Sequence, residues 1–100
     1  MDYEVVWTEP AMADLRAISD YIAERNPAAA VRTIAAILER VDLLQRVPFM
    51  GPIYPRGSQG RVREIVSGKY RIFYRVIEDS SRVEILTVWH GARREPTLPE

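Results

Sequence analysis

The side chains best suited to acid–base or phosphate chemistry lie at the end of the last predicted strand. His90 is the only histidine in the chain, and Arg93 and Arg94 follow it closely. A histidine can exchange a proton near neutral pH, and a guanidinium binds phosphate or carboxylate through paired hydrogen bonds. Any chemistry that the protein performs is therefore expected here. The simpler alternative is a histidine that only makes a hydrogen bond at the strand end.

The basic residues are concentrated in the C-terminal half of the chain, although the net charge is zero. Residues 1–50 contain five basic and eight acidic side chains, whereas residues 51–100 contain nine basic and six acidic ones. Thirteen of the fourteen basic residues are arginine. This asymmetry indicates an anionic partner for the C-terminal half, either a nucleic acid or an acidic protein segment, unless the arginines only form a solvated surface.

The composition excludes several other kinds of site. The chain has no cysteine, which rules out disulfides, thiolate nucleophiles and thiolate metal ligands. With one histidine, a zinc site made by the protein alone is not expected, and neither a metal nor a cofactor is predicted. The sequence has no run of 18 or more apolar residues and no signal-peptide pattern at its N-terminus. These features predict a single 100-residue domain with no segment that spans a membrane, and the lack of cysteine is compatible with a reducing cytoplasm.

Three stretches rich in β-branched and aromatic residues predict three strands, Val62–Val66, Tyr70–Ile77 and Val83–His90. Residues 67–69 and 78–82 supply the Gly, Ser and Asp that short turns need. The predicted core face of the second strand carries Tyr70, Ile72, Tyr74 and Val76. The third strand is apolar on both faces, with Val83, Ile85 and Trp89 predicted on one and Leu86 and Val88 on the other. A strand of that kind is central or covered on both sides.

Two helices are predicted before these strands. A short strand, Tyr3–Trp7, precedes Thr8, which suits the N-cap of the first helix. That helix is predicted over Pro10–Arg25, and Asn26 separates it from a second helix over Pro27–Arg46. Apolar residues recur at spacings of three and four along both helices, which predicts one buried face on each.

The second helix has a broad apolar face. Its core positions are predicted to be Ala30, Ile34, Ile37, Val41 and Leu44, and the residues predicted to widen this face are Val31, Leu38 and Leu43. The near-heptad spacing also fits a coiled-coil dimer, but two short helices followed by strands fit packing onto a sheet better. The predicted fold class is α+β with the order β-α-α-β-β-β, a helix hairpin packed on a small antiparallel sheet.

A series of local signatures follows this arrangement, namely Trp7-Thr8, Tyr21-Ile22, Pro48 with Gly51, the YRIFY run from Tyr70 to Tyr74, and the VWHGAR run from Val88 to Arg93. In this order they resemble the RelE/ParE superfamily of bacterial type II toxins over nearly the whole chain. The resemblance implies a cytoplasmic toxin encoded with a cognate antitoxin. Such an antitoxin binds DNA with one segment and wraps the toxin with another that folds on binding, so a hetero-oligomer is expected.

The resemblance leaves two targets open. Members similar to RelE cut messenger RNA on the ribosome, and members similar to ParE inhibit DNA gyrase. If this chain were a nuclease, the resemblance would assign the catalytic role to Arg63, Arg71, His90 and Arg93. Those nucleases usually also have a tyrosine close to the C-terminus, and this chain has no aromatic residue after Trp89. A ParE-like gyrase inhibitor without catalytic residues is therefore expected, with the RelE-like ribosome-dependent nuclease as the alternative.

Contacts with the antitoxin or the target are expected at the basic residues of the C-terminal half, which are Arg61, Arg63, Arg71, Arg75, His90, Arg93 and Arg94. The antitoxin is also expected to bury apolar surface of the helix hairpin. The simpler alternative is that Arg71 and Arg75 are only solvated on an exposed strand face.

Overall fold

The computed structural model describes residues 2–57 and 60–91, so Arg93 and Arg94 lie outside the described residues. Its elements are β1 (Glu4–Trp7), α1 (Glu9–Ala23), α2 (Pro27–Asp42), β2 (Val62–Ser67), β3 (Tyr70–Ile77) and β4 (Arg82–His90). This is the predicted order, β-α-α-β-β-β. A short 3-10 helix over Leu43–Gln45 follows α2, so the α-helix itself ends earlier than predicted.

Both helices begin at residues whose side chains cap them. The Thr8 hydroxyl accepts a hydrogen bond from the Ala11 N–H and donates one to the Ile85 carbonyl oxygen on β4 at 2.6 Å. The Asn26 side-chain oxygen accepts from the Ala29 N–H at 3.0 Å. Because Thr8 bonds to both the helix and β4, it fixes the start of α1 against the sheet.

The four strands form one mixed sheet in the order β1-β4-β3-β2. Strands β2, β3 and β4 pair antiparallel, as predicted, but β1 pairs parallel with β4. The prediction of a wholly antiparallel sheet is therefore wrong for its first strand. Parallel pairing needs a long crossover, and here the two helices and the two strands after them separate β1 from its partner.

A bulge in β4 changes which residues face the helices. Phe73 pairs with Thr87 and Tyr74 pairs with Ile85, so Leu86 is the extra residue between them. The bulge shifts the alternation by one position. As a result Val88 lies in the helix-side core and Trp89 packs on the opposite face, the reverse of the strict alternation predicted from the sequence.

The sheet carries an apolar core on each face. The helix-side core includes Ile37, Val41, Ile72, Tyr74, Val83 and Ile85, all fully buried. The smaller core on the other face consists of Tyr54, Val62, Phe73 and Leu86, with Trp89 packed against it. Strand β4 contributes to both cores and is paired on both edges, which confirms the prediction of a central strand.

The outer side of α2 is more exposed than its sequence pattern predicted. Val31 is 71 % exposed, and Leu38 and Leu43 are also exposed. The prediction that these three residues widen the buried face is wrong, because only one side of α2 contacts α1 and the sheet. The core positions Ala30, Ile37, Val41 and Leu44 are buried as predicted.

Asp14 joins α1 to the part of β4 that β1 does not reach. One carboxylate oxygen accepts hydrogen bonds from the Thr87 hydroxyl at 2.6 Å and from the Val88 N–H at 3.0 Å. The carboxylate thus satisfies a backbone donor on β4 where strand pairing with β1 has ended.

Asp14→Ala is expected to lower the free energy of unfolding by about 1–3 kcal/mol, because two donors on β4 lose their acceptor. Chemical denaturation followed by circular dichroism measures the change. Asp20→Ala, at an exposed position of the same helix, is the matched control and should change stability by less than about 0.5 kcal/mol. Equal losses in the two variants would contradict the role assigned to Asp14.

Candidate functional site

Arg71 lies on the sheet face that the helices leave uncovered. Its Nε donates to the Glu64 carboxylate on β2. Its guanidinium carbon lies 5.1 Å from the ring centre of Phe73 and 5.6 Å from that of Tyr54. Carboxylates and aromatic ring faces both attract a guanidinium. Arg71 is therefore held against its own sheet.

Arg75 belongs to a second ion-pair group on the same face. Its Nε donates to one Glu84 carboxylate oxygen at 2.9 Å, and Arg82 Nη2 lies 3.3 Å from the other oxygen. One carboxylate between two partly exposed arginines leaves a net positive charge at this position. Such surface pairs contribute little to stability, so the group is available to an anionic partner.

Arg63 holds the loop that leads into β2. Its Nη1 donates to the Gly51 carbonyl oxygen at 2.8 Å and to the Phe49 carbonyl oxygen at 3.4 Å. Its guanidinium carbon also lies 5.0 Å from the centre of the Phe49 ring. Through these contacts the Arg63 side chain fixes the backbone of the loop at Phe49 and Gly51.

Tyr74 anchors the same loop from inside the core. The Gly51 N–H donates to the Tyr74 hydroxyl at 3.0 Å. A Cβ at position 51 would lie 2.5 Å from the Glu64 carbonyl oxygen, so the close approach requires glycine. Burial raises the pKa of Tyr74, although the hydrogen bond from Gly51 and the charge of Arg63 oppose the rise.

His90 ends β4 and lies opposite Tyr70 on β3. The two rings meet edge to face with their centres 5.3 Å apart. His90 also borders two clefts at this end of the sheet.

The larger cleft, of about 870 Å³, lies between the helix hairpin and the β2–β3 turn end of the sheet. Helices α1 and α2 line it with Ile18, Tyr21, Ile22, Thr33 and Ala36, and the sheet lines it with Tyr70, Val88 and His90. Two cations, Arg32 on α2 and Lys69 in the β2–β3 turn, also line this cleft. Mostly apolar walls with a few charged groups are typical of a surface that binds another molecule.

The smaller cleft, of about 470 Å³, lies at the β2–β3 turn. Lys69, Arg71 and His90 line it together with Gly68 and Gly91. Among the described residues, those that line this cleft include no carboxylate, although the Glu64 carboxylate binds Arg71 nearby. An anion is the ligand that this lining suits best. The sequence analysis placed Lys69 in a turn and did not include it among the site residues, since its distance from His90 depends on how β3 pairs with β4.

The residues predicted to form the site lie at separate places. Arg71 and His90 share the smaller cleft, whereas Arg63 binds the loop before β2 and Arg75 binds Glu84. Arg61 is exposed just before β2. Sequence reasoning missed the large cleft, because its walls come from two helices and two strand ends that are distant in the chain.

Two structural features are absent from the described ranges, a cluster of metal-ligating side chains and a helix that could span a membrane. Within residues 2–57 and 60–91, no group of three or more His, Asp or Glu side chains is arranged to hold a metal ion. In that same part of the chain, no helix is long and apolar enough to cross a membrane.

Comparison with known proteins places this arrangement among type II toxins. Residues 5–95 match the family model described as the ParE toxin of the type II toxin-antitoxin system, parDE. The chain is 37 % identical over 91 residues to toxin RelE2 of Caulobacter vibrioides. The aligned region covers 90 % of this chain and 97 % of that protein.

Solved structures agree with this class. A chromosomal ParDE toxin-antitoxin system from P. aeruginosa contains a chain with a TM-score of 0.74 and 27 % identity, covering 88 % of this chain and 95 % of that one. The RelBE2 toxin-antitoxin complex from Mycobacterium tuberculosis contains another similar chain, with a TM-score of 0.68 and 26 % identity. The match covers 90 % of this chain and 99 % of that one. The chain is a toxin of the RelE/ParE superfamily and belongs to the ParE toxin family of type II toxin–antitoxin systems.

The raised pKa of Tyr74 predicts a loss of stability at alkaline pH. The folded state favours the neutral phenol, so this contribution is complete below the unfolded pKa of about 10 and is lost as pH rises through the folded pKa. Tyr74→Phe is expected to lower the free energy of unfolding by about 1–3 kcal/mol at pH 7, because the Gly51 N–H loses its acceptor.

The same variant should lose less stability than the wild type between pH 9 and pH 11, because the buried phenol is gone. Denaturant unfolding at a series of pH values measures both effects. Tyr21→Phe, which removes an exposed hydroxyl, controls for the substitution. Parallel wild-type and Tyr74→Phe curves would contradict the assignment.

Proposed function

We propose that this toxin is a ParE-like inhibitor of DNA gyrase that acts in the cytoplasm, where gyrase works, and is neutralised by a cognate antitoxin. The observation that carries the proposal is that two arginines are already bound within the protein. Arg63 holds the loop before β2, and Arg71 binds the Glu64 carboxylate. A nuclease needs cations placed to stabilise the charge that develops on the phosphate. The ParE family match supports the same choice.

Gyrase supercoiling assays with purified, antitoxin-free protein test the proposal. We expect dose-dependent inhibition that is relieved when the cognate antitoxin is added. We also expect no cleavage of ribosome-bound messenger RNA, by the wild type or by His90→Ala. Because no chemical step is involved, His90→Ala removes at most one contact with the target and should keep gyrase inhibition within about tenfold of the wild type, a change of less than about 1.4 kcal/mol.

A RelE-like ribosome-dependent endonuclease is the second candidate. The observation that favours it is the smaller cleft, in which Lys69, Arg71 and His90 come together. Under this alternative, messenger RNA is cut on ribosomes, and His90→Ala or Arg71→Ala lowers the cleavage rate by about 100-fold or more, the usual effect of losing an acid, base or charge-stabilising group. That result, together with an unaffected gyrase, would replace the first candidate.

We propose that the antitoxin binds in the large cleft. Apolar side chains of both helices line the cleft together with the cations Arg32 and Lys69, which suits a segment with apolar and acidic residues that folds as it binds. Two similar solved structures are toxin–antitoxin assemblies, which supports a hetero-oligomer.

A matched pair of substitutions on α2 tests this location. Ala36 lines the cleft, whereas Ala35 is an exposed neighbour that does not line it. Ala36→Arg should weaken antitoxin binding at least about 30-fold, because a large charged side chain occupies the cleft. Ala35→Arg should bind within about threefold of the wild type. Isothermal titration calorimetry measures both affinities, and equal affinities would place the antitoxin elsewhere.

A further inference from the structure

The outer surface of α2 carries apolar side chains that the rest of the described chain leaves exposed. Val31 is 71 % exposed and Leu38 is 41 % exposed. Ala28 and Ala35 are exposed as well, and the four residues recur at spacings of three, four and three. Residues at these spacings lie along one line of an α-helix, as in the contact surface of a two-helix coiled coil. These four residues form the outer stripe of α2.

The outer stripe is separate from the surfaces of α2 that face the rest of the protein. The buried residues of this helix are Ala30, Ile37 and Val41, which lie on a different side. Among the described residues, those that line the two clefts include Ala36 but none of the outer stripe. An exposed apolar surface on a helix indicates contact with another protein.

Two opposite charges border the outer stripe on one side. Arg32 and Glu39 are both exposed and are seven residues apart, so they lie on the same side of the helix. Within residues 2–57 and 60–91, neither side chain forms an ion pair. They occupy the flanking position at which charges determine partner and orientation in coiled coils. The outer stripe thus has one cation and one anion at equivalent positions.

An antiparallel copy of α2 is complementary to both charges. If a two-fold axis passes between Ala36 and Ile37, Arg32 faces Glu39 of the second copy, and the symmetry repeats this ion pair. In the same register Leu38 lies against Ala35 of the second copy, so a large side chain meets a small one. A parallel pair would leave the two charges about 10 Å apart along the helix axis, the length of seven residues.

We propose that the outer stripe of α2 is the interface of a symmetric, antiparallel homodimer of this toxin. One helix from each copy gives a contact smaller than the interfaces of about 1,200–2,000 Å² that stable complexes bury, so the dimer is weak and reversible. The inference does not depend on the proposed target or on the antitoxin. Arg32 also lines the large cleft, so a partner bound in that cleft competes with the dimer for this side chain.

Sedimentation velocity of the antitoxin-free protein, from about 10 μM to about 1 mM, tests the proposal. We expect the wild type to shift from monomer to dimer as its concentration rises. Arg32→Glu and Glu39→Arg each place like charges opposite one another at both ends of the contact. Each should therefore raise the dissociation constant of the dimer at least about tenfold. Arg16→Glu reverses an exposed charge on α1 and, as the matched control, should stay within about threefold of the wild type.

Combining the two substitutions tests the register directly. The double variant Arg32→Glu/Glu39→Arg exchanges the charges and restores both ion pairs, so it should dimerise within about threefold of the wild type. An equimolar mixture of the two single variants should also sediment as a dimer, because each copy supplies the charge that the other lacks. A contact with any other kind of partner predicts neither result.

Three outcomes would overturn the proposal. One is a wild type that stays monomeric up to about 1 mM. Another is a dimer that neither single reversal weakens, which would place the contact on a different surface. The third is a double variant that fails to recover, which would show that Arg32 and Glu39 do not face each other. Circular dichroism of each variant shows whether the fold is kept, and the proposed gyrase inhibition is unaffected by any of these results.

Discussion

The central position of β4 is the constraint on which the rest of the structure depends. This strand pairs parallel with β1 on one edge and antiparallel with β3 on the other, and it contributes side chains to the cores on both faces. A strand buried in this way must have its backbone groups satisfied along its whole length. Thr8 and Asp14 do so where β1 ends, and both belong to the start of α1. The hydrogen bonds that satisfy the central strand therefore also fix the helix hairpin to the sheet.

The two faces of the sheet have different consequences for function. The helices cover one face but leave the large cleft at the β2–β3 turn end of the sheet. The other face places its arginines beside carboxylates, with Arg71 on Glu64 and Arg75 on Glu84. A guanidinium that is hydrogen-bonded to its own protein can support an interface, but it is poorly placed to stabilise a reacting phosphate. This division is the observation on which the proposal of a ParE-like inhibitor rests.

The large cleft and the smaller cleft meet at the turn between β2 and β3. Lys69 lines both of them. A flexible partner that folds on binding gains most when it contacts several adjacent surfaces, because each contact offsets part of its ordering entropy. The apolar helix walls of the large cleft and the basic lining of the smaller one are adjacent surfaces of this kind.

The sequence by itself determined the order of helices and strands, the cap at Thr8, the central role of β4 and membership of the toxin superfamily. These features depend on local signals, such as alternation, capping residues and motif order. The tertiary structure alone decided that β1 is parallel, that the bulge at Leu86 moves Trp89 to the other face, and that Val31 and Leu38 are exposed. It also decided which carboxylates bind Arg71 and Arg75. The physical reason is that these outcomes depend on pairing between distant segments, and a one-residue shift in that pairing reverses the face of every residue that follows.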